Sequence, residues 1–481
     1  MLRMLRAWIQ RTLGVLLAAL VMIWPALYNG FPFFYPDSTG YLDSGNLVAR
    51  ALFQHNFSDY YGMRSLIYSL GILPLHWNIT PWPVVIFSAL LTAYVLWLVV
   101  RSLLPRHTFI IYLGLVVFLS FLTAMSWTVS WIMPDILGPV LYLCIYLLVF
   151  CWDELKRTER VMVMLIAWWA VTSHATHFVL AVGLCILLIP VLMLQRQPAR
   201  QWLKATGRVV AVIAAAALAQ MLLHGYLYGK PTLNGNRPPF LLARVIADGP
   251  GRWYLEKRCP ELHFAICDHV RELPNNVDDI LWDQKGAWAS APLERQEQML
   301  AEEMPIVRGA VLAYPRDEFT IASARFWEQL QTFGYFDFHL DTWVPQTIET
   351  SLPGSLAHYM QSRQGQDTLP EDFFTDVQNW TVIVSIIVIC VWTLLLRRNS
   401  SRRLAGLTAV IVFSVLANAA VTGMLSNVED RYQVRVVWLV PLLAGIFVLA
   451  WLHNRRHPGA QDAPGVTQQS VVSDQPAIPS T

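Results

Sequence analysis

The chain is predicted to be an all-α polytopic membrane protein of about ten transmembrane helices, and three observations lead there. Of its 481 residues 55% are hydrophobic and only 14% are charged. The apolar residues come in runs of roughly 17 to 22, long enough to cross the hydrocarbon core of a bilayer as helices. Arginine and lysine gather in alternate connections between those runs. Backbone surrounded by lipid must pair its own amides and carbonyls, which selects helices over open strands.

The spans fall near 12–28, 83–100, 108–126, 136–152, 161–173, 177–195, 209–226, 380–396, 405–424 and 434–452. The first has a basic start but runs to Trp24-Pro25 without a small-residue cleavage site, so it reads as a retained helix and not a signal peptide. The apolar stretch 161–195 is too long for one crossing, and Ser173-His174-Ala175-Thr176-His177 divides it. Orientation follows from the excess of basic residues expected on the cytoplasmic side. Arg3, Arg6, Arg11, Arg101, Arg106, Lys156, Arg157 and Arg160 share one face with Arg196, Arg200, Lys204, Arg208, Arg397, Arg398, Arg402, Arg403, Arg455 and Arg456. The short turns at 127–135 and 173–177 on the other face carry none. Both termini are therefore expected in the cytoplasm. A net charge of +2 gives no reason to expect nucleic-acid binding.

Four parts follow from this pattern. Residues 1–226 form an N-terminal module of seven spans whose first outer loop, 29–82, carries the candidate catalytic residue. Within that loop, 45–57 and 62–77 read as short helices on the membrane surface, with Tyr60, Tyr61, Trp77 and Trp82 suited to the headgroup region. Residues 227–379 make a mainly helical outer segment large enough for a small core of its own. Helical spacing runs through 293–333 and is interrupted at Pro315. Residues 380–452 supply the last three helices, and 453–481 form an aperiodic tail of disordered composition. Cys144, Cys151, Cys185 and Cys390 lie in or at the ends of spans, whereas Cys259 and Cys267 lie in the outer segment, where an oxidising compartment would permit a bridge.

The residues that could carry chemistry map to the outer side. Asp37 stands in Phe-Pro-Phe-Phe-Tyr-Pro-Asp-Ser-Thr-Gly, a loop between aromatic residues where a carboxylate needs a partner or a task; it could equally cap a helix starting near Ser38. Asp135, in Met133-Pro134-Asp135, could cap the next helix or bind a ligand, and it would be ionised in either role. His174 and His177, spaced i, i+3, could share a cation or phosphate on one side of a helical turn, or satisfy backbone groups at two helix ends. Arg431 and Arg435, spaced i, i+4 before the last span, could face one phosphate through forked hydrogen bonds, or anchor the interface by pairing with Glu429 and Asp430. No His-Glu-x-x-His and no cysteine cluster is present, so a peptidase-type or structural zinc site has no support.

Taken together, Tyr35-Pro36-Asp37-Ser38 in the first large loop, Met133-Pro134-Asp135 at the second outer turn, the histidine-bearing third turn and Arg431-Tyr432-Gln433-Val434-Arg435 make the chain resemble the GT-C superfamily of polytopic glycosyltransferases. That superfamily includes protein O-mannosyltransferases and aminoarabinose transferases. The likeness implies a transferase that takes a sugar from a polyprenyl-phosphate donor to a glycan, lipid or protein acceptor, in the bacterial inner membrane at its periplasmic face. It implies Asp37 as the catalytic base, Asp135, Arg431 and Arg435 as substrate- and phosphate-binding groups, and Asp135, His174 and His177 as the set for a divalent cation such as Mg or Mn. Many members carry two adjacent acids in the first loop; here Ser38 follows Asp37, and the next acid is Asp43.

Two rival classes remain. A lipid-linked polysaccharide ligase or polymerase has similar topology but relies on Arg and His without a carboxylate base. A transporter would place ionisable groups near the bilayer midplane, whereas these spans are almost free of them.

Overall fold

The structure is a computed structural model, and it describes residues 2–55, 64–105, 108–233, 237–395 and 401–456. Tyr60, Tyr61, Arg106, Arg397, Arg398 and the tail from 457 onward lie outside the described residues. Among those described the secondary structure is helical, with a single isolated bridge, Phe33 to Trp131, in place of any strand.

The first half runs α1 (Leu2–Met22), α2 (Trp24–Asn29), α3 (Pro36–Gln54), α4 (Leu66–His76), α5 (Trp82–Leu103), α6 (Thr108–Leu122), α7 (Met125–Val129), α8 (Leu137–Phe150), α9 (Arg157–Ser173), α10 (Ala175–Leu194) and α11 (Ala199–Tyr228). The inserted segment contributes α12 (Phe240–Ala247), α13 (Pro250–Leu262), α14 (Val277–Leu281), α15 (Leu293–Ala313), α16 (Pro315–Gln331), α17 (Trp343–Ser351) and α18 (Leu356–Gln361). The chain closes with α19 (Glu371–Leu395), α20 (Arg402–Leu425), α21 (Asp430–Val437) and α22 (Leu439–Arg456).

Among the described residues seven stretches are long and apolar enough to cross a membrane: Trp8–Asn29, Trp82–Leu103, Ala175–Leu194, Ala199–Tyr228, Glu371–Leu394, Arg402–Leu425 and Asp430–Leu452. The chain is thus a multi-pass α-helical membrane protein. The other three expected spans are helical but shorter, α6 at 15 residues, α8 at 14 and α9 at 17. Among the spans α5 is the most enclosed and α11 and α19 are the least. Leu194, Leu222 and Leu394 on the peripheral helices are exposed apolar side chains of the kind lipid covers. The break after Ser173 falls where the sequence places it, with His174 capping α10.

One end of the bundle is fastened by basic residues around two acids. Buried Glu159 accepts from Arg101 through both carboxylate oxygens at 2.7 Å and from Arg11 at 3.4 Å, while Arg403 pairs with Glu154. Arg160 and Arg208 lie over the Trp152 ring at 4.7 and 4.3 Å.

The opposite end carries the first loop and the inserted segment. The loop differs from two short surface helices: α3 begins at Pro36 and continues without interruption to Gln54, then pairs with α4. They cross tightly at Gly45, where an added Cβ would stand 2.6 Å from the Ser69 carbonyl oxygen. The inserted segment divides in two. Its first part, Leu242 to Ile306, encloses a separate core around Leu255, Leu281 and Met299, with Cys259 and Cys267 joined as a disulfide. Its second part sends Tyr335, Phe338, Val344, Ile348 and Tyr359 into the main core of the bundle.

Because the Gly45 crossing is backbone against backbone, Gly45→Ala should force α3 and α4 apart and cost about 1–3 kcal/mol. Thermal unfolding in detergent is the check, and an unchanged midpoint would contradict the tight crossing.

Candidate functional site

Tyr35, in extended conformation, is the N-cap of α3, Pro36 occupies the first helical position, and Ser38 Oγ accepts the Tyr35 N–H at 2.9 Å. The capping bond therefore belongs to Ser38. Asp37 is left in the first turn with its carboxylate free for other partners, at the positive end of the helix.

Those partners are two guanidinium groups from distant parts of the chain. Arg64, just before α4, donates to Asp37 Oδ1, and Arg431 Nη1 donates to Oδ2 at 3.3 Å. The Asp37 side chain retains 16% exposure and Arg64 24%, against 6% for Arg431, so the carboxylate is partly open to solvent. Tyr35 and Tyr432 flank Arg431 with their rings 4.5 and 5.2 Å from its Cζ, and Trp282 from the inserted segment lies 6.0 Å from that of Arg64. The Arg431 backbone N–H is held at 2.6 Å by Asp337 Oδ2.

One turn further along α21, Arg435 performs a different task. It is fully buried, donating to Asp135 Oδ1 at 3.2 Å and to Asn418 Oδ1 at 3.1 Å. Asp135 does not cap α8; its other oxygen, Oδ2, and Arg435 Nε are both buried without a hydrogen-bond partner. Tyr432 lies between the two arginines, 5.5 Å from Arg435 Cζ. The four charges thus sort into two layers, Asp37–Arg431 facing a partly open space and Asp135–Arg435 sealed beneath it.

The histidines stand close together, ring centroids 5.4 Å apart, but their nitrogens are engaged separately. His174 caps α10, its Nδ1 accepting from the Thr176 N–H at 3.2 Å and facing the Thr176 hydroxyl at 2.7 Å. Desolvation, together with His177 and the nearby arginines, holds His174 well below the usual imidazole range, so it is neutral. His177 Nδ1 donates to the Ala170 carbonyl at 2.9 Å, leaving Nε2 buried and without a partner. Gly138 makes room for it, since a Cβ there would stand 3.1 Å from His177 Nε2.

The expected cation set of Asp135, His174 and His177 is not assembled. Among the described residues no three His, Cys, Asp or Glu side chains converge to hold a metal ion. The physical reason lies in the bonds just described, which commit Asp135 to Arg435, His174 to Thr176 and one nitrogen of His177 to Ala170.

Sequence reasoning missed Arg64, Asp337, Asn418 and Trp282 as members of the site. Arg64 did leave a signal, as the one charge within the apolar stretch 62–77. Asn418 left a weaker one, an amide amid an apolar span.

Compared with protein-family models, curated proteins and solved structures, the chain has no significant match.

Two acids near Arg431 give the site a pH signature. Burial pushes Asp337 up to about 6, with the Arg431 cation opposing. Burial, then repulsion from Asp337 and Asp278, pushes Glu429 up to about 7. Both bind their protons more tightly folded than unfolded, so the stability this confers is present at low pH. It is lost as pH rises from roughly 4 to 7. Melting temperature should fall across that window, and Asp337→Asn with Glu429→Gln should flatten the slope; an unaltered slope would contradict the assignment.

The buried layer makes a second prediction. Asp135→Ala or Arg435→Met should each cost about 3–5 kcal/mol by stranding an uncompensated charge. The double variant should cost less than the sum, measured as chemical denaturation midpoints. Additive losses would show that the pair is not coupled.

Proposed function

We propose that this protein is a membrane glycosyltransferase of the GT-C type. In this reading it moves a sugar from a polyprenyl-phosphate donor to an envelope glycan, lipid or protein, with Asp37 as the base and inversion at the anomeric carbon. The observation that carries the reading is the meeting of one partly exposed carboxylate with two guanidinium groups, from positions 37, 64 and 431, at one end of a helical membrane bundle. Glycosyl transfer needs those two things together: a base for the acceptor hydroxyl and cationic donors for the departing phosphate.

Without substrate, Arg64 and Arg431 satisfy Asp37. A donor phosphate competes for the same guanidinium groups and offers them more charge and more acceptor oxygens. Transfer of the arginines to the phosphate frees the carboxylate. The acceptor oxygen then attacks the anomeric carbon as the carbon–oxygen bond to phosphate breaks. The acceptor proton passes to Asp37, and the phosphate leaves on its lipid with its charge held by Arg64 and Arg431. Asp135 and Arg435 act as a positioning pair, fixing α21 so that Arg431 reaches Asp37. No step is routed through a divalent ion, because among the described residues no three candidate ligands converge to hold one.

The same reading places this end of the bundle at the periplasmic face of a bacterial inner membrane, with both termini in the cytoplasm. It counts α6, α8 and α9 among ten crossings. The basic cluster around Glu159 and Glu154 at the other end supports this orientation.

Asp37→Asn should lower transfer from a polyprenyl-phosphate sugar by about 10²–10⁴-fold with membrane insertion intact. Undiminished transfer would overturn the carboxylate-base mechanism and favour a ligase acting through Arg and His. Transmembrane flux of a labelled substrate without glycosylated product would favour a transporter.

A further inference from the structure

Beyond Asp37, α3 carries a second set of polar side chains that the mechanism above leaves unused. Asp43, Asn46, Arg50 and Gln54 recur every three or four residues along one face of the helix, interleaved with Leu47 and Phe53. They form one wall of a groove of about 770 Å³, within the range of about 300–1,000 Å³ typical of small-molecule sites. The other walls are Leu73, Trp77 and Asn78 at the end of α4, and Thr350 of α17.

The end of α4 is unusual. Trp77 and Asn78 both adopt left-handed backbone conformations, with φ of 44° and 56°, in a region where non-glycine residues are uncommon. This turn leaves the indole 66% exposed and brings the Asn78 side chain to within 3.0 Å of Asn46 across the groove. Phe53 is 80% exposed on the facing wall. At the inner end Asp43 is held by the Ser351 hydroxyl at 2.9 Å. The lining therefore combines aromatic planes with three carboxamides, a hydroxyl, one carboxylate and one guanidinium. It has no cluster of cations for a phosphate, and its polar wall does not suit an alkyl chain. Flat apolar faces beside closely spaced hydrogen-bonding groups match a sugar ring, whose C–H face packs on an aromatic plane while its hydroxyls bond at the edge.

We infer that this groove binds the saccharide part of the acceptor. The inference rests on the glycosyltransferase reading and deepens it, because α3 joins the two sites. Asp43 lies six residues beyond Asp37, about 9 Å along the helix axis, and Gln54 about 25 Å. A glycan lying in the groove presents one end toward Asp37 and its remaining units to Asn46, Asn78 and Trp77. The acceptor is accordingly a glycan or glycolipid of several sugar units.

The test is hydrogen–deuterium exchange on the full chain in detergent, for wild type and Asp37→Asn alike. The probe is the saccharide pool released by hydrolysis from the envelope of cells lacking this protein, with phosphatidylglycerol as the alternative ligand. The saccharide pool should slow exchange in 43–54 and 73–78 in both proteins, since binding there does not need the base. Trp77→Ala with Asn46→Ala should remove that protection and raise the acceptor KM about tenfold or more, with kcat within about twofold. Absence of protection at saturating pool, or protection that survives the double variant, would overturn the proposal. Protection by phosphatidylglycerol in place of the saccharides would overturn it in favour of a lipid headgroup site. If protection appears but Asp37→Asn transfers normally, the groove stands and the catalytic reading fails.

Discussion

A guanidinium group buried at the end of a membrane bundle must find a counter-charge, and the short helix α21 places two of them one turn apart. Arg435 is buried with Asp135, a residue 300 positions earlier in the chain, and Arg431 reaches Asp37 from 394 positions away. Breaking such a pair is far more costly than forming it is rewarding, because the surviving charge stays desolvated. The pairs therefore act as register pins: the loop before α8, the start of α3 and the entry to the last span can take few other relative positions. Asn418 on α20 and Asp337 in the inserted segment tie α21 from two further sides.

The same constraint separates the two layers of charge. Beneath, Asp135 and Arg435 are closed off from solvent and serve position. Above, Asp37 keeps some exposure and shares Arg431 with Arg64, so its partners can be exchanged for a ligand without unfolding anything. The inserted segment contributes to this end of the bundle through both of its parts. Tyr335 and Phe338 pack in the main core beside the Phe33–Trp131 contact, and Trp282 reaches Arg64 from the edge of the separate small core.

Much of this architecture is legible in the sequence because lipid leaves the backbone little choice. Hydrophobic length located the seven helices long and apolar enough to cross a membrane, and the polar interruption at Ser173-His174 located the break between α9 and α10. Length was a poorer guide for α6 and α8, where connecting turns such as Met125–Val129 and the segment before Leu137 take residues that hydropathy alone assigns to the spans. The proximity of Arg431 to Asp37 follows a charge pattern visible in the chain; the pairing of Arg64 does not, since no local rule connects position 64 to position 37. Of the two readings open for the histidines, the structure shows the one in which they satisfy backbone groups at two helix ends. An i, i+3 spacing predicts a shared face only inside a helix, and His174 is an extended cap at φ −153°, ψ 141°, so its ring direction does not follow the helical period.

What the account claims at its centre is an exchange of partners: phosphate takes Arg64 and Arg431, and Asp37 is released toward the acceptor. An experimental structure with a bound polyprenyl phosphate tests that most directly. The account predicts phosphate oxygens within hydrogen-bonding distance of both guanidinium groups and an Asp37 carboxylate no longer bridging them, while Asp135 and Arg435 stay paired. A phosphate bound elsewhere, with Asp37 still clasped between Arg64 and Arg431, would contradict it.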